Sequence, residues 1–479
     1  MDFLEGKGLY DCYLLLNNGS ISCVELTKYY FKKAQKNLNN AFLNLNENAL
    51  ELASVVDQEI ANNGITSFVQ GLPYNIKDLF LVEGMETTAN SKILENYFPS
   101  TSAFIYQELE RRGALLIGKT SCDEFGMGST NEYVINEPVT NPNSKDYVSG
   151  GSSGGVAASV MEGSSAFGIG SDTGGSARIP ASFCGAVGFK PSYGLLSRSG
   201  LIAHASSLDT PAPIARNPLD IACILESISN TDPQDSTQTG VNHWQLVQKI
   251  LATTPTFMES KRIGYCPTHI ESCEPPVRKK LQETIELLRK MKVNLVELTA
   301  DIGDESLSVY HIISSSEASS NLSRFTGVFQ TQDGRDLSIF RSENFGEEVK
   351  RRIIAGTFCL STKNKDDYFI KASKVRRLIV NQYARFFEKV DFLFLPTVAH
   401  LTPKIGELKD SSMDVYSIDR FTVDANLTGY PAISIPCLQS DNELPVGFQL
   451  MAAYREDEKL LQAAHAFDLY SLMQRSQGE

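Results

Sequence analysis

The sequence has no run of about 18 apolar residues, so it offers no segment of the length that a transmembrane helix requires. Its first residues include Asp2 and Glu5. They show neither the apolar segment of a secretory signal nor the arginine-rich, acid-poor composition of a transit peptide. We therefore expect no membrane span and no secretory signal.

Cysteine is sparse and scattered. The nine cysteines form no CxxC pair, and their number is odd. Cys266 and Cys273 are the two nearest in sequence, and they are too far apart for a typical zinc knuckle. This pattern predicts buried free thiols in a reducing compartment, without a disulfide framework or a metal site.

Positive charge is in deficit, since 44 lysines and arginines stand against 57 acidic residues and give a net charge of −13. A surface of that sign repels phosphate backbones, so direct binding of nucleic acid is not expected. Hydrophobic residues make up 42% of the chain and charged residues 21%, which is ordinary for a soluble globular protein. A chain of 479 residues can bury a large core without disulfides.

Histidine is absent from the three segments that carry the chemistry described below. The six histidines stand at positions 204, 243, 269, 311, 400 and 465. A Ser-His-Asp triad therefore has no support from the sequence, and a catalytic serine would need another base.

Segments typical of strands alternate with segments typical of helices. Short apolar runs at 114–118, 166–170 and 391–396 predict buried strands, and the capping pattern at 22–25 predicts the start of a helix. The alternation indicates an α/β fold. We expect a mixed, mainly parallel β-sheet covered by helices on both faces.

Three segments that combine glycine with serine or lysine stand out, at residues 71–78, 150–155 and 170–180. In the third segment Ser176 follows two glycines, and the backbone amides of such a turn can point toward one oxyanion. We predict Ser176 as a nucleophile. The expected amide donors are those of Thr173, Gly174, Gly175 and Ser176.

Lys77, in the first segment, is the candidate base. It follows an apolar run, and a lysine that is buried can lose its proton near neutral pH. Ser152 and Ser153 lie in the second segment, separated from Ser176 by a predicted helix and strand that can return the chain to its start. A hydroxyl of this pair can bridge the base and the nucleophile.

The order and spacing of the three segments resemble the amidase signature family. The resemblance implies a Ser–cis-Ser–Lys triad of Ser176, Ser152 and Lys77, and it selects Ser152 as the bridge. It also implies the amidase signature fold in a single domain over residues 1–479. The catalytic core is expected at about 65–215, and a part that completes the sheet and the glutamine pocket at about 260–475.

Other segments resemble the glutaminase chains of tRNA-dependent amidotransferases, a group within this family. They are residues 118–129, 188–194, 317–322 and 345–352. This resemblance implies a glutaminase, part of a carbon–nitrogen ligase with glutamine as amido donor, that supplies ammonia for converting Glu-tRNA(Gln) to Gln-tRNA(Gln). Its glutamine pocket would use Arg352 for the α-carboxylate, Asp419 for the α-ammonium and Tyr310 as a further contact.

The same resemblance implies partners. A B subunit would amidate Glu-tRNA(Gln) with ATP and Mg²⁺, a small third subunit would join the complex, and this chain would need no cofactor or metal. The turn 210–213 is more similar to organellar members, so we expect the mitochondrial matrix, with the cytoplasm as the alternative. The alternative function is a free-standing amidase signature hydrolase acting on another amide.

Overall fold

The computed structural model describes residues 2–240, 245–298, 304–326, 337–408, 416–438 and 443–478. The α-helices in these residues are α1 Leu9–Asn17, α2 Cys23–Lys36, α3 Ala49–Asn63, α4 Phe104–Arg111, α5 Gly154–Glu162, α6 Arg178–Cys184, α7 Pro218–Ile228, α8 Leu246–Leu251, α9 Pro267–Glu271, α10 Pro275–Lys290, α11 Asp304–Asn321, α12 Leu337–Asn344, α13 Glu347–Leu360, α14 Lys371–Lys389, α15 Val423–Thr428 and α16 Asp457–Gly478. The strands are β1 Phe42–Leu45, β2 Pro73–Lys77, β3 Leu115–Thr120, β4 Thr140–Asn141, β5 Ser144–Val148, β6 Phe167–Asp172, β7 Val187–Lys190, β8 Thr210–Ala215, β9 Arg262–Tyr265, β10 Asn294–Glu297, β11 Phe392–Pro396, β12 Ala432–Pro436 and β13 Gly447–Met451.

One large sheet contains eleven of these strands, in the order β1-β3-β2-β6-β8-β7-β12-β13-β11-β9-β10. Its neighbours are parallel at β3–β2, β2–β6, β11–β9 and β9–β10. The other six neighbouring pairs are antiparallel. The predicted α/β fold with a mixed sheet is confirmed, with a larger antiparallel share than the alternation of strands and helices indicated.

β8 explains part of this difference, because it pairs antiparallel with both β6 and β7. It carries Pro211 and Pro213, and proline argues against a strand inside a sheet since it has no N–H to donate. The register with β7 covers only Ile214 and Ala215 of β8. The prolines therefore occupy the stretch of β8 that lacks a second neighbour, where the missing N–H groups are tolerated.

Helices cover both faces of the sheet. Phe394 and Leu450 pack in one apolar cluster with residues of α7 and α16. The next residues along the same strands, Leu393 and Met451, pack in a second cluster with residues of α11 and α14. Because successive side chains of a strand point to opposite faces, the two clusters lie on opposite sides of the sheet.

The nine cysteines are buried, as predicted, and none of them forms a disulfide. Within the described residues, no helix combines the length and the apolar character that a membrane crossing requires. The same residues contain no group of three or more His, Cys, Asp and Glu side chains placed to hold a metal ion.

Candidate active site

Two parallel strands bring the first and third segments together. Lys77 is the last residue of β2, and Asp172 is the last residue of β6. These strands are hydrogen bonded in parallel, with Ile76 opposite Ile169. Because the carboxyl ends of parallel strands lie at one edge of a sheet, the candidate base and the serine turn start from the same edge.

Lys77 lies in a buried cluster of serine hydroxyls. Its Nζ is 2.7 Å from Ser152 Oγ, 3.0 Å from Ser153 Oγ and 3.0 Å from Ser171 Oγ. The side chain is fully buried, and burial lowers the pKa of Lys77 to about 8, against a smaller opposing effect of nearby carboxylates such as Asp123. A lysine in this environment can exchange a proton with a serine near neutral pH.

The segment that carries Ser152 is held from two sides, and the Gly151–Ser152 peptide bond is cis. The N–H of Ser153 donates to the Ser176 carbonyl at 3.0 Å, so this segment contacts the turn of the candidate nucleophile. On the other side, a Cβ on Gly151 would lie 2.0 Å from an Asp123 carboxylate oxygen. Only glycine fits there, and this explains part of the glycine richness seen in the sequence.

Ser176 stands between β6 and α6, anchored by the buried ion pair of Asp172 and Arg178. The Arg178 guanidinium donates to both Asp172 oxygens, from Nε at 3.0 Å and from Nη2 at 2.9 Å. Nη2 also donates to Asn426 Oδ1, and Nη1 donates to Gln449 Oε1, each at 2.8 Å. Arg178 is therefore a structural partner of Asp172 and holds the two ends of the nucleophile turn together.

The predicted oxyanion donors differ in their hydrogen bonding. The Gly175 N–H donates to the Asp172 carboxylate at 2.9 Å, so it is already occupied. The amides of Thr173 and Gly174 have no hydrogen-bond partner among the described residues. Of the predicted oxyanion donors Thr173, Gly174, Gly175 and Ser176, the amides of Thr173 and Gly174 are therefore free to receive an oxyanion, and the role of all four stays a prediction.

Arg352 on α13 is buried, although the Lys-Arg-Arg run around it suggests a helix surface. Its Nε donates to Glu348 Oε1 at 2.8 Å, and its guanidinium lies 5.6 Å from the centre of the Tyr416 ring. One terminal nitrogen, Nη1, is buried and has no partner among the described residues. An anionic ligand could satisfy this donor.

Asp419 and Tyr310 lie close to Arg352, since the charges of Arg352 and Asp419 both act on the pKa of Tyr310. Asp419 accepts a hydrogen bond from Ser129 Oγ at 2.7 Å, and burial raises the pKa of Asp419 to about 7. The Tyr310 ring packs on the nucleophile turn, where a Cβ on Gly174 would lie 2.4 Å from ring atom Cζ. The structure therefore gathers one cation, one carboxyl group and one phenol beside Ser176.

Several side chains of this site were not singled out from the sequence. Ser171 completes the hydroxyl cluster around Lys77, and Asp209 accepts a hydrogen bond from Thr173 Oγ1 at 2.7 Å. Glu348 lies one helical turn before Arg352 and forms an ion pair with it. A Glu–Arg pair four residues apart is visible in the sequence and could have indicated this contact. Ser171 and Asp209 carry no such local signal.

Comparison with known proteins places this geometry in a family. The Amidase family model matches residues 25–461. The chain is 40% identical over 473 residues to the A subunit of the glutamyl-tRNA(Gln) amidotransferase of Bdellovibrio bacteriovorus, covering 96% of each chain. It is 41% identical to the protein of the same name from Gloeobacter violaceus, covering 93% of each chain.

A solved structure gives the same result. The crystal structure of the corresponding glutamyl-tRNA(Gln) amidotransferase chain from Thermotoga maritima superposes with a TM-score of 0.80 at 33% identity, covering 97% of this chain and 94% of that one. The family match extends over most of the sequence and includes all three segments around Lys77, Ser152 and Ser176. The chain belongs to the amidase family.

Proposed function

We propose that this chain hydrolyses glutamine to glutamate and ammonia as the glutaminase component of a tRNA-dependent amidotransferase. The observation that carries the proposal is the pairing of Arg352 and Asp419 beside the turn of Ser176. A free amino acid has an α-carboxylate and an α-ammonium, and a buried cation next to a buried carboxyl group matches both. The names of the relatives at about 40% identity point to the same role.

The reaction begins with neutral Lys77, which takes a proton from Ser152 as Ser152 takes the proton of Ser176. The Ser176 Oγ bonds to the carboxamide carbon, and the carbonyl oxygen becomes an oxyanion held by the amides of Thr173 and Gly174. The C–N bond then breaks, and the proton returns through Ser152 to the departing nitrogen, which leaves as ammonia. Water attacks the acyl-enzyme by the same proton route and releases glutamate.

The ammonia would be used by a partner. A B subunit, joined by a small third subunit, would amidate Glu-tRNA(Gln) to Gln-tRNA(Gln), with ATP and Mg²⁺ used in that reaction. The net charge of −13 favours tRNA contacts through the partner. We propose the mitochondrial matrix as the location, which subcellular fractionation would test against the cytoplasm.

Ammonia release from glutamine tests the proposal, with the purified chain alone and together with its partner subunits. Ser176→Ala should abolish release. Arg352→Ala should raise KM for glutamine at least about tenfold, because it removes a charged partner of the substrate. Arg351→Ala is the matched control, since Arg351 is the neighbouring arginine of α13 and its side chain is 48% exposed.

Two outcomes would contradict the proposal. One is turnover of acyl or aryl amides without turnover of glutamine, which would favour the free-standing hydrolase. The other is an equal response to Arg352→Ala and Arg351→Ala, which would remove Arg352 from the pocket while leaving the amidase chemistry of Ser176 in place.

A further inference from the structure

His204 has a fixed backbone and a buried side chain beside the nucleophile turn. It is 2% exposed, and its N–H donates to the Asp209 carboxylate at 3.0 Å. The same carboxylate accepts from Thr173 Oγ1, and the His204 carbonyl accepts from Asn321 on α11 at 3.1 Å. The position of His204 is therefore coupled to the turn of Ser176 and to the helix that carries Tyr310.

The ring nitrogens of His204 are buried without a close hydrogen-bond partner in the part of the chain that the structure describes. Neither Nδ1 nor Nε2 is bonded to another group of the described residues. The backbone of Gly126 lies near enough to favour a proton on the ring without forming a full hydrogen bond. A Cβ on Gly126 would lie 3.6 Å from Ser152 Oγ and 4.0 Å from Lys77 Nζ, so the ring faces backbone that borders the triad.

The largest electrostatic influences on this ring come from positively charged groups. They come from Arg352 and Lys77, with His311 as a further neighbour. Together with burial they lower the pKa of His204 well below its ordinary value, so the ring is neutral. A neutral imidazole has one N–H donor and one acceptor nitrogen. Buried polar atoms are seldom left without a hydrogen-bond partner, so two unpartnered ring nitrogens at an active site indicate a ligand.

A glutamine carboxamide would need such an acceptor. Its amino group carries two N–H donors, and Lys77 and Arg352 are themselves donors. The carboxylates that act on Lys77 already accept other hydrogen bonds: Asp123 from the N–H groups of Asn131 and Tyr133, and Asp172 from Arg178. The Gly126 backbone already lies beside the His204 ring and favours a proton on it, so its carbonyl can accept the ring N–H and leave the other ring nitrogen as an acceptor.

We propose that His204 is a substrate-binding residue that accepts a hydrogen bond from the amino group of the carboxamide. It thereby selects a primary amide over an ester of the same acid. The proposal rests on the proposed function in so far as the amide is glutamine. His204 does not replace Lys77 as the base, because the proton of Ser176 passes through Ser152 to Lys77.

Two variants and two substrates test this. Glutamine and the γ-methyl ester of glutamate share the acyl part, but the leaving oxygen of the ester has no N–H. His204→Phe, which keeps a flat ring without an acceptor, should lower kcat/KM for glutamine about tenfold or more relative to the ester. His204→Asn keeps an acceptor oxygen and should retain most of the preference for the amide. Melting curves of the full-length variants control for folding.

Equal losses on amide and ester in His204→Phe, or no change on either, would overturn the proposal. So would a His204→Asn variant that loses the amide preference as fully as His204→Phe. If the wild-type chain hydrolyses another amide and not glutamine, the proposed function fails. The same comparison is then made with that amide and its matching methyl ester, so the role of His204 is still decided.

Discussion

Replacing Lys77 with arginine keeps a positive charge at the end of β2 but removes the ability to give up a proton, because arginine stays protonated at any ordinary pH. Lys77 differs because burial lowers its pKa from 10.5 to about 8. At pH 7 about one lysine in ten is then neutral, against about one in 3,000 at the ordinary pKa. Burial at this position thus raises the population of the free base about 300-fold.

The expected pH dependence follows from that pKa. At saturating glutamine, kcat reports groups in the substrate complex, and Lys77 must be neutral to take a proton. We expect kcat to rise about tenfold per pH unit below pH 8 and to level off above it. Lys77→Arg and Lys77→Met should both lose at least about 10³-fold in kcat, because each removes the base.

The assay is ammonia release from glutamine between pH 6 and pH 10 at constant ionic strength, roughly two units on each side of the midpoint. Circular dichroism of each variant controls for folding. A kcat that is flat from pH 6 to pH 9, roughly the range of the predicted rise, would refute the role of Lys77 as base. Activity of Lys77→Arg within about tenfold of wild type would do the same.

Three further predictions concern the hydroxyl cluster, the pocket and the ion pair. Ser152→Ala should lower kcat at least about 100-fold more than Ser153→Ala, as steady-state kinetics would measure. The reason is that Ser153 Oγ also donates to the Ser171 carbonyl at 3.0 Å and therefore has a structural role. Below pH 7 KM for glutamine should rise about tenfold per pH unit as Asp419 gains a proton, and Asp419→Asn should give a high KM that no longer depends on pH there. Arg178→Met should cost about 3–5 kcal/mol in the free energy of unfolding, measured in urea, because Asp172 would stay buried without its partner.

Local patterns in the sequence predict a large part of the fold. The capping pattern at Ser22 and Glu25 marks the start of α2, and both of its hydrogen bonds form, at 3.2 and 2.9 Å. The strand predicted at 391–396 is β11 in the structure, Phe392–Pro396. These predictions succeed because capping and apolar periodicity are decided by neighbours in the chain. The prolines of β8 argue against a strand, yet a strand forms there. Whether a strand has a second neighbour is not a local property of the sequence.

In the candidate site, too, some residues carry a local signal in the sequence and others do not. The residues around Lys77, Ser152 and Ser176 carry a signal in sequence because glycines are required wherever backbone approaches closely, as at Gly151 beside Asp123. The sequence by itself therefore determined the candidate nucleophile and the candidate base.

Only the tertiary structure decided which groups surround them. Burial lowers the pKa of Lys77 and raises that of Asp419, and burial depends on contacts between distant parts of the chain. The sequence offered no reason to place His204 near Lys77 and Arg352, which are separated from it by more than a hundred residues on either side. Leu201 and Ile202, in the loop after β7, pack against the apolar cluster that contains Leu79, just beyond β2, and Val349 of α13. No periodicity or motif encodes contacts of that kind.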